Sequence, residues 1–218
     1  MNSSVIFSQM GVAVGAISGT LEARSKQMDI FGATTVAVVT ALGGGTLRDL
    51  LLQHGPVFWV HDVMPLIVAI SAALITFVAA SSPGKSARNA LLIADAGALA
   101  LFTVVGTEKA LAAHVAPIVA LVMGVITGVA GGIFRDILCN VIPMVLRRDI
   151  YATACIAGGA LYLAMHAAGM PQEVVSVSTI ITIFVIRIVV LRWKLSLPEA
   201  LQPAQILAEQ VRDQDRRN

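Results

Sequence analysis

Charged side chains are scarce: Asp, Glu, Lys and Arg make up 13% of the 218 residues. An ordinary soluble domain carries about 25%. The deficit excludes a solvent-bathed globule, because most of the chain must face lipid or other helices. Aromatics are also few, at 5%. There are two cysteines, Cys139 and Cys155, without the spacing of a metal or redox motif, so buried free thiols are expected. A net charge of +2, with no single basic face, excludes a nucleic-acid partner. The amino-terminal stretch lacks a basic segment ahead of its apolar run, so it reads as a first membrane span rather than a cleaved signal. No HExxH, GxSxG or comparable catalytic set occurs, which argues against an enzyme, and no cofactor motif is present.

What is abundant is apolar and small. Hydrophobic residues reach 57% and mean hydropathy is +0.84. Ala, Val, Leu, Ile and Gly dominate, and Ala and Gly among them let helices approach closely in a bilayer. About 20 apolar residues span the hydrocarbon core as a helix. That length predicts seven spans, at roughly 4–23, 30–52, 64–82, 89–109, 116–138, 149–168 and 173–192. Short loops with breakers or charge connect them. The fold class is therefore an all-α integral membrane protein with membrane lipid as its surroundings.

Loop charges set the orientation. Arg24, Lys26, Lys85, Arg88, Arg147 and Arg148 fall on one side, with Arg192, Lys194, Arg212, Arg216 and Arg217 of the polar tail. With the motif arginines set aside, Lys109 alone lies near the other surface. This puts the N-terminus outside and the C-terminus in the cytoplasm. The tail, 193–218, reads as solvated, with a short helix from about Ala204 to Arg212 as the alternative.

The chain also repeats itself at an offset of 87 residues. Gly19 falls on Gly106, Thr20 on Thr107, Thr40 on Thr127, and Gly44 and Gly45 on Gly131 and Gly132. Arg48 and Asp49 fall on Arg135 and Asp136, Pro56 on Pro143, and Asp62 on Asp149. Matched Gly, Pro, Arg and Asp in one register are not expected from composition. Residues 1–88 form repeat one, 89–168 repeat two, and 169–192 an added seventh span. Three spans per repeat is an odd number, so the halves must be inverted, and inverted repeats build a site at their interface. The halves are not chemically equivalent: Gly43 becomes Ala130, Thr46 becomes Ile133, Glu22 becomes Lys109, and Asp95 falls on Ser8.

The strongest site signal is Gly43-Gly44-Gly45-Thr46-Leu47-Arg48-Asp49 in span 2 and Ala130-Gly131-Gly132-Ile133-Phe134-Arg135-Asp136 in span 5. Three consecutive glycines cost about 3 kcal/mol of helix propensity relative to alanine. They predict a kink, tight helix packing, or both. In the kinked reading one half-helix ends near Leu42 and the next begins near Thr46, with Thr46 and Asp49 resembling a capping box. Buried charges need partners. Adjacent side chains on a helix diverge by about 100°, so cross-repeat partners are expected, such as Arg48 with Asp136 or Asp95. Asp95 itself lies within span 4, either in this network or at the interface as a cap. Arg187 is expected to snorkel to the cytoplasmic surface, and Glu22, Glu108 and Lys109 to be solvated at span ends. Most span Ser and Thr hydroxyls should bond back to their own helix, with Thr40 and Thr127, just before the glycines, as the exceptions.

These elements, with the segments AVVTALGGGTLRDLLL, LFTVVGTEKALAAHVAPIVALVMGVITGVAGGIFRDIL and IPMVLRRDIYATACIAGGALYL, resemble the bacterial branch of the trimeric intracellular cation (TRIC) channels. The resemblance covers about residues 5–192. It implies seven spans with helices 2 and 5 kinked at the glycines, and a bacterial inner-membrane homotrimer. Each protomer would hold a pore for monovalent cations, potassium and, less selectively, sodium, with no other metal. Carried onto this chain, the pore region is Gly43, Gly44, Gly45, Gly131 and Gly132, with Arg48, Asp49, Arg135 and Asp136 around it; Thr40, Thr46, Thr127 and Asp95 are added from their positions. Bacterial members of the same family are also described as glycine transporters, so a secondary carrier of a small zwitterion is the alternative.

Overall fold

The computed structural model describes residues 3–53, 55–80, 84–147 and 150–193, the side chains of Lys85 and Arg147 aside. The expectations for the tail, for Arg148 and Asp149, and for the Lys85 and Arg147 charges lie outside what is described. Among the described residues every regular element is helical: α1 (Ser3–Ser25), α2 (Ile30–Leu52), α3 (Phe58–His61), α4 (Met64–Ala79), α5 (Lys85–Ala112), α6 (Pro117–Leu138), α7 (Met144–Arg147), α8 (Ala152–Ala167) and α9 (Gln172–Trp193).

Five of these, α1, α2, α5, α6 and α9, are long and apolar enough to cross a membrane; α4 and α8 are shorter apolar helices of 16 residues. Large apolar side chains stand exposed around the outside, among them Phe31, Ile75 and Val78. Lipid solvates such a surface where water would not. The chain is an integral membrane protein. Two one-turn helices, α3 and α7, occupy connections that the sequence reading leaves as plain loops.

Local chemistry explains the boundaries. The Asp29 carboxylate accepts from the Gly32 amide at 2.7 Å and caps α2. Asp62 accepts from the Met64 amide at 2.9 Å ahead of α4, and Pro117 opens α6. Residues in the left-handed region follow α1, α2, α5 and α6: Gln27, Gln53, His114 and Asn140. Gln27 and His114 are 87 residues apart, and so are Gln53 and Asn140.

Packing follows the same pairing. Helix α1 lies against α2 and α4, α5 lies against α6 and α8, and α1–α5 and α2–α6 contacts join the groups. A Cβ at Gly44 would strike the Thr127 carbonyl, and one at Gly131 the Thr40 carbonyl, so α2 and α6 cross antiparallel. Gly11 and Gly15 of α1 meet Phe102 of α5, while Gly97 meets Val14, so these two also run antiparallel. Helix α9 packs on α5 and α8 and has no counterpart in the first group.

Candidate functional site

The glycine runs do not break their helices. Helices α2 and α6 continue through residues 43–46 and 130–133, so the half-helices with free ends expected from the sequence are not formed. The glycines let two backbones meet instead. A Cβ added at Gly44 would lie 2.1 Å from the Thr127 carbonyl oxygen, and one at Gly131 2.3 Å from that of Thr40. Gly43 and Gly45 accommodate the rings of Phe134 and Phe58. Thr46 is no cap: its hydroxyl donates to the Leu42 carbonyl at 2.8 Å and accepts from Trp59 Nε1 at 2.9 Å. Thr40 and Thr127 are not exceptions either. Their hydroxyls donate to Val36 and Met123 carbonyls, each at 2.6 Å, like those of Thr20, Thr103 and Thr107 elsewhere.

The charged residues stand at the two ends of this crossing. Thr40 is level with Gly131 and Gly44 with Thr127, so Arg135 is level with Val36. Twelve residues of α2 separate that level from Arg48, a rise of roughly 18 Å. That distance rules out the expected Arg48–Asp136 pair. Each arginine turns to its own neighbour: Arg48 Nη2 lies 2.7 Å and Nε 2.8 Å from Asp49 Oδ1, and Arg135 Nη2 and Nε each lie 2.8 Å from Asp136 Oδ1. The Cβ directions diverge, but the long guanidinium arm curls back far enough to reach. The second carboxylate oxygens have matching tasks. Asp49 Oδ2 accepts from the Phe58 amide at 2.9 Å and Asp136 Oδ2 from the Met144 amide at 2.8 Å, so each aspartate holds the first residue of a one-turn helix, α3 or α7.

The two ends differ in what surrounds them. At the α3 end, the Phe58 ring lies 5.7 Å from the Arg48 guanidinium and 5.3 Å from the Lys109 ammonium. Glu22, Glu108 and Lys109 are half-buried rather than solvated. At the α7 end, Arg135 also reaches Asp95 Oδ1 at 2.8 Å and donates to the Ser18 hydroxyl. Asp95 is 4% exposed and ten residues inside α5, so it neither caps a helix nor lies at the interface. The Tyr151 hydroxyl donates to the same Oδ1 at 3.1 Å. Arg187 does not snorkel. It is fully buried, its guanidinium stacked 4.2 Å from the Tyr151 ring and 3.5 Å from Asp95 Oδ2, and it donates to the Ile150 carbonyl at 3.2 Å. A carboxylate within reach outweighs the distant surface. Asp95, Arg135, Ser18, Thr40 and Gly131 help to line a cavity of about 10 Å³, room for about one water molecule.

A family model described as "Glycine transporter" matches residues 5–81 and 92–167. The UPF0126 inner membrane protein YadS of Escherichia coli K12 is 46% identical over 190 residues, covering 87% of this chain and 92% of that protein. Among solved structures, the TRIC trimeric intracellular cation channel orthologue from Rhodobacter sphaeroides superimposes with a TM-score of 0.85 at 38% identity, over 89% of this chain and 100% of that one. A second, from work on conductance through TRIC cation channels, gives 0.77 at 33% identity over 91% and 97%. The chain belongs to the TRIC family.

Sequence reasoning expected Arg48 to pair with Asp136 or Asp95; the structure gives both carboxylates to Arg135 and leaves Arg48 with Asp49. The sequence reading missed Ser18, Phe58, Trp59 and Tyr151, and sent Arg187 elsewhere. Phe58 and Trp59 carried one usable signal: two aromatics in a chain with few, nine and ten residues beyond Asp49 in a loop.

Proposed function

We propose that the protein is a monovalent-cation channel. The observation that carries this reading is the α2–α6 crossing: two antiparallel helices touch through glycine and carbonyl, with an Arg–Asp pair at either end. A route along this crossing passes backbone carbonyls and carboxylates, the groups that replace a cation's water. We place it near Gly43, Gly44, Gly45, Thr46, Arg48 and Asp49 on one side and Gly131, Gly132, Arg135, Asp136 and Asp95 on the other, with Thr40 and Thr127 between.

At Gly44 and Gly131 the backbones leave no room for an ion. Conduction therefore requires α2 and α6 to part there, and bending at the glycines is the motion their sequence allows. The chain has no TVGYG-type filter, so potassium is passed with sodium less selectively, not excluded. The wider assignment includes seven spans, with α4 and α8 as the third and sixth, repeats over 1–88 and 89–168, and α9 added. It places the N-terminus outside and the C-terminus in the cytoplasm. It makes the assembly a homotrimer with a path in each protomer, as the solved orthologue is named trimeric. Contacts that recur 87 residues apart support the repeat.

Planar-bilayer recording in asymmetric KCl tests the reading, with Asp49→Asn and Asp136→Asn beside the wild type. Unitary currents that reverse toward the potassium potential, and change in both variants, are expected. A silent bilayer together with saturable, exchangeable glycine uptake into liposomes would replace the channel with a carrier.

A further inference from the structure

Helix α9 lies outside the repeat, yet it delivers the guanidinium that faces Asp95. Asp95 Oδ1 is fully engaged by Arg135 and Tyr151. Oδ2 has no hydrogen-bond partner among the described residues, although it is buried, and the charge nearest to it is Arg187 Nη2 at 3.5 Å. Arg187 is fixed by other means, the Ile150 carbonyl and the Tyr151 ring. Its Nε and Nη2 have no hydrogen-bond partner among the described residues. So Arg187 stands beside Oδ2 as a charge without closing a hydrogen bond on it. The local sum is neutral: Asp95 and Asp136 against Arg135 and Arg187.

We propose that Arg187 is a tethered counter-cation that competes with the permeant ion for Asp95 Oδ2, and so sets the cation affinity of the α7 end of the path. This rests on the channel reading above. A monovalent cation that nears Asp95 meets a carboxylate held on Oδ1 by Arg135 and faced on Oδ2 by a second guanidinium that never leaves. Weak occupancy favours throughput over tight binding, because an ion must depart as readily as it arrives. The seventh helix is then a specificity element rather than a lipid-facing appendage.

The test is single-channel conductance against KCl concentration for wild type, Arg187→Gln, Arg187→Lys, Asp95→Asn and the Arg187→Gln/Asp95→Asn double variant. Arg187→Gln should lower the half-saturating concentration roughly fivefold or more, the low end of ordinary coupling between two sites. Arg187→Lys keeps the charge but loses the planar fork that holds Ile150, so it should shift the same way by less. In the Asp95→Asn background the Arg187→Gln shift should vanish, an outcome a merely structural role would not produce. A shift that persists without Asp95, or unchanged half-saturation in every Arg187 variant that folds, overturns the proposal. If Arg187→Gln does not fold, Arg187→Lys decides alone. A silent wild type with saturable, exchangeable glycine uptake would overturn the channel reading and this proposal with it, whereas wild-type currents with unmoved Arg187 variants would overturn this proposal only.

Discussion

Gly44 is seated against the Thr127 carbonyl so closely that a methyl group at its Cα would lie 2.1 Å from the oxygen. Backbone cannot step aside as a flexible side chain can, so Gly44→Ala must push α2 from α6. The same holds for Gly131→Ala against Thr40. Each should lower stability by about 1–3 kcal/mol, the usual range for overpacking. Gly97→Ala is the control, because its Cβ would meet Val14 at an ordinary 3.4 Å. Thermal unfolding of the detergent-solubilised protein should separate the two outcomes. Equal midpoints for Gly44→Ala and Gly97→Ala would mean that the crossing is not tight.

Arg24 closes the far end of α4. Its guanidinium donates to the Phe77 carbonyl and, at 2.8 Å, to the Ala80 carbonyl, while lying 5.0 Å from the Phe77 ring. The last carbonyls of a helix have no partner of their own. Arg24→Ala should cost about 1–2 kcal/mol through orphaned acceptors. Arg192→Ala, at an exposed position of α9, should shift the unfolding midpoint little. Midpoints lowered equally in both variants would show that net charge, not the cap, is responsible.

The long helices were legible because hydropathy and length are additive along a sequence, and the 87-residue register was legible because arginine, aspartate and proline are scarce in apolar segments and recur there beside matched glycines. What the glycines do was only half legible. Propensity says that three glycines weaken a helix, but the crossing carbonyls of Thr40 and Thr127 belong to a distant segment, and they turn the same residues into a contact surface. Pairing failed for a related reason. The 100° rule compares Cβ directions, whereas Arg48 and Arg135 bond through atoms at the end of a flexible arm. Arg187 was misplaced because its partner, Asp95, lies 92 residues away in the chain, and only the packing of α9 on α5 brings them together.

Both cysteines are buried and free. Cys139 follows α6, and burial pushes its thiol up to about 11. A raised thiol pKa means fewer thiolates, the form that reacts. At pH 8 Cys139 would carry far less thiolate than a free thiol of pKa about 8.5. Maleimide labelling of the folded protein at pH 8 should therefore be slow and rise steeply toward pH 11, with prompt labelling in SDS. Rapid labelling of Cys139 at pH 7–8 would mean that the α6–α7 corner opens to solvent.

Arg135 shares two carboxylates, Asp95 and Asp136, each at 2.8 Å, in a site with almost no exposure. Removing either one leaves the Arg135 guanidinium a partner, so Asp136→Asn alone should be tolerated, whereas Asp95→Asn also takes the carboxylate that faces Arg187 and should cost more. Removing both strands a buried cation beside a second one, Arg187, whose own nearby carboxylate is also gone. An uncompensated buried charge costs about 3–5 kcal/mol. The double variant should therefore lose more than the sum of the singles, by about 1–3 kcal/mol of coupling. Equilibrium unfolding of the four proteins in mixed detergent measures it. Simple additivity would show that the two aspartates stabilise Arg135 independently, and that Asp136 matters here only through the Met144 amide that anchors α7.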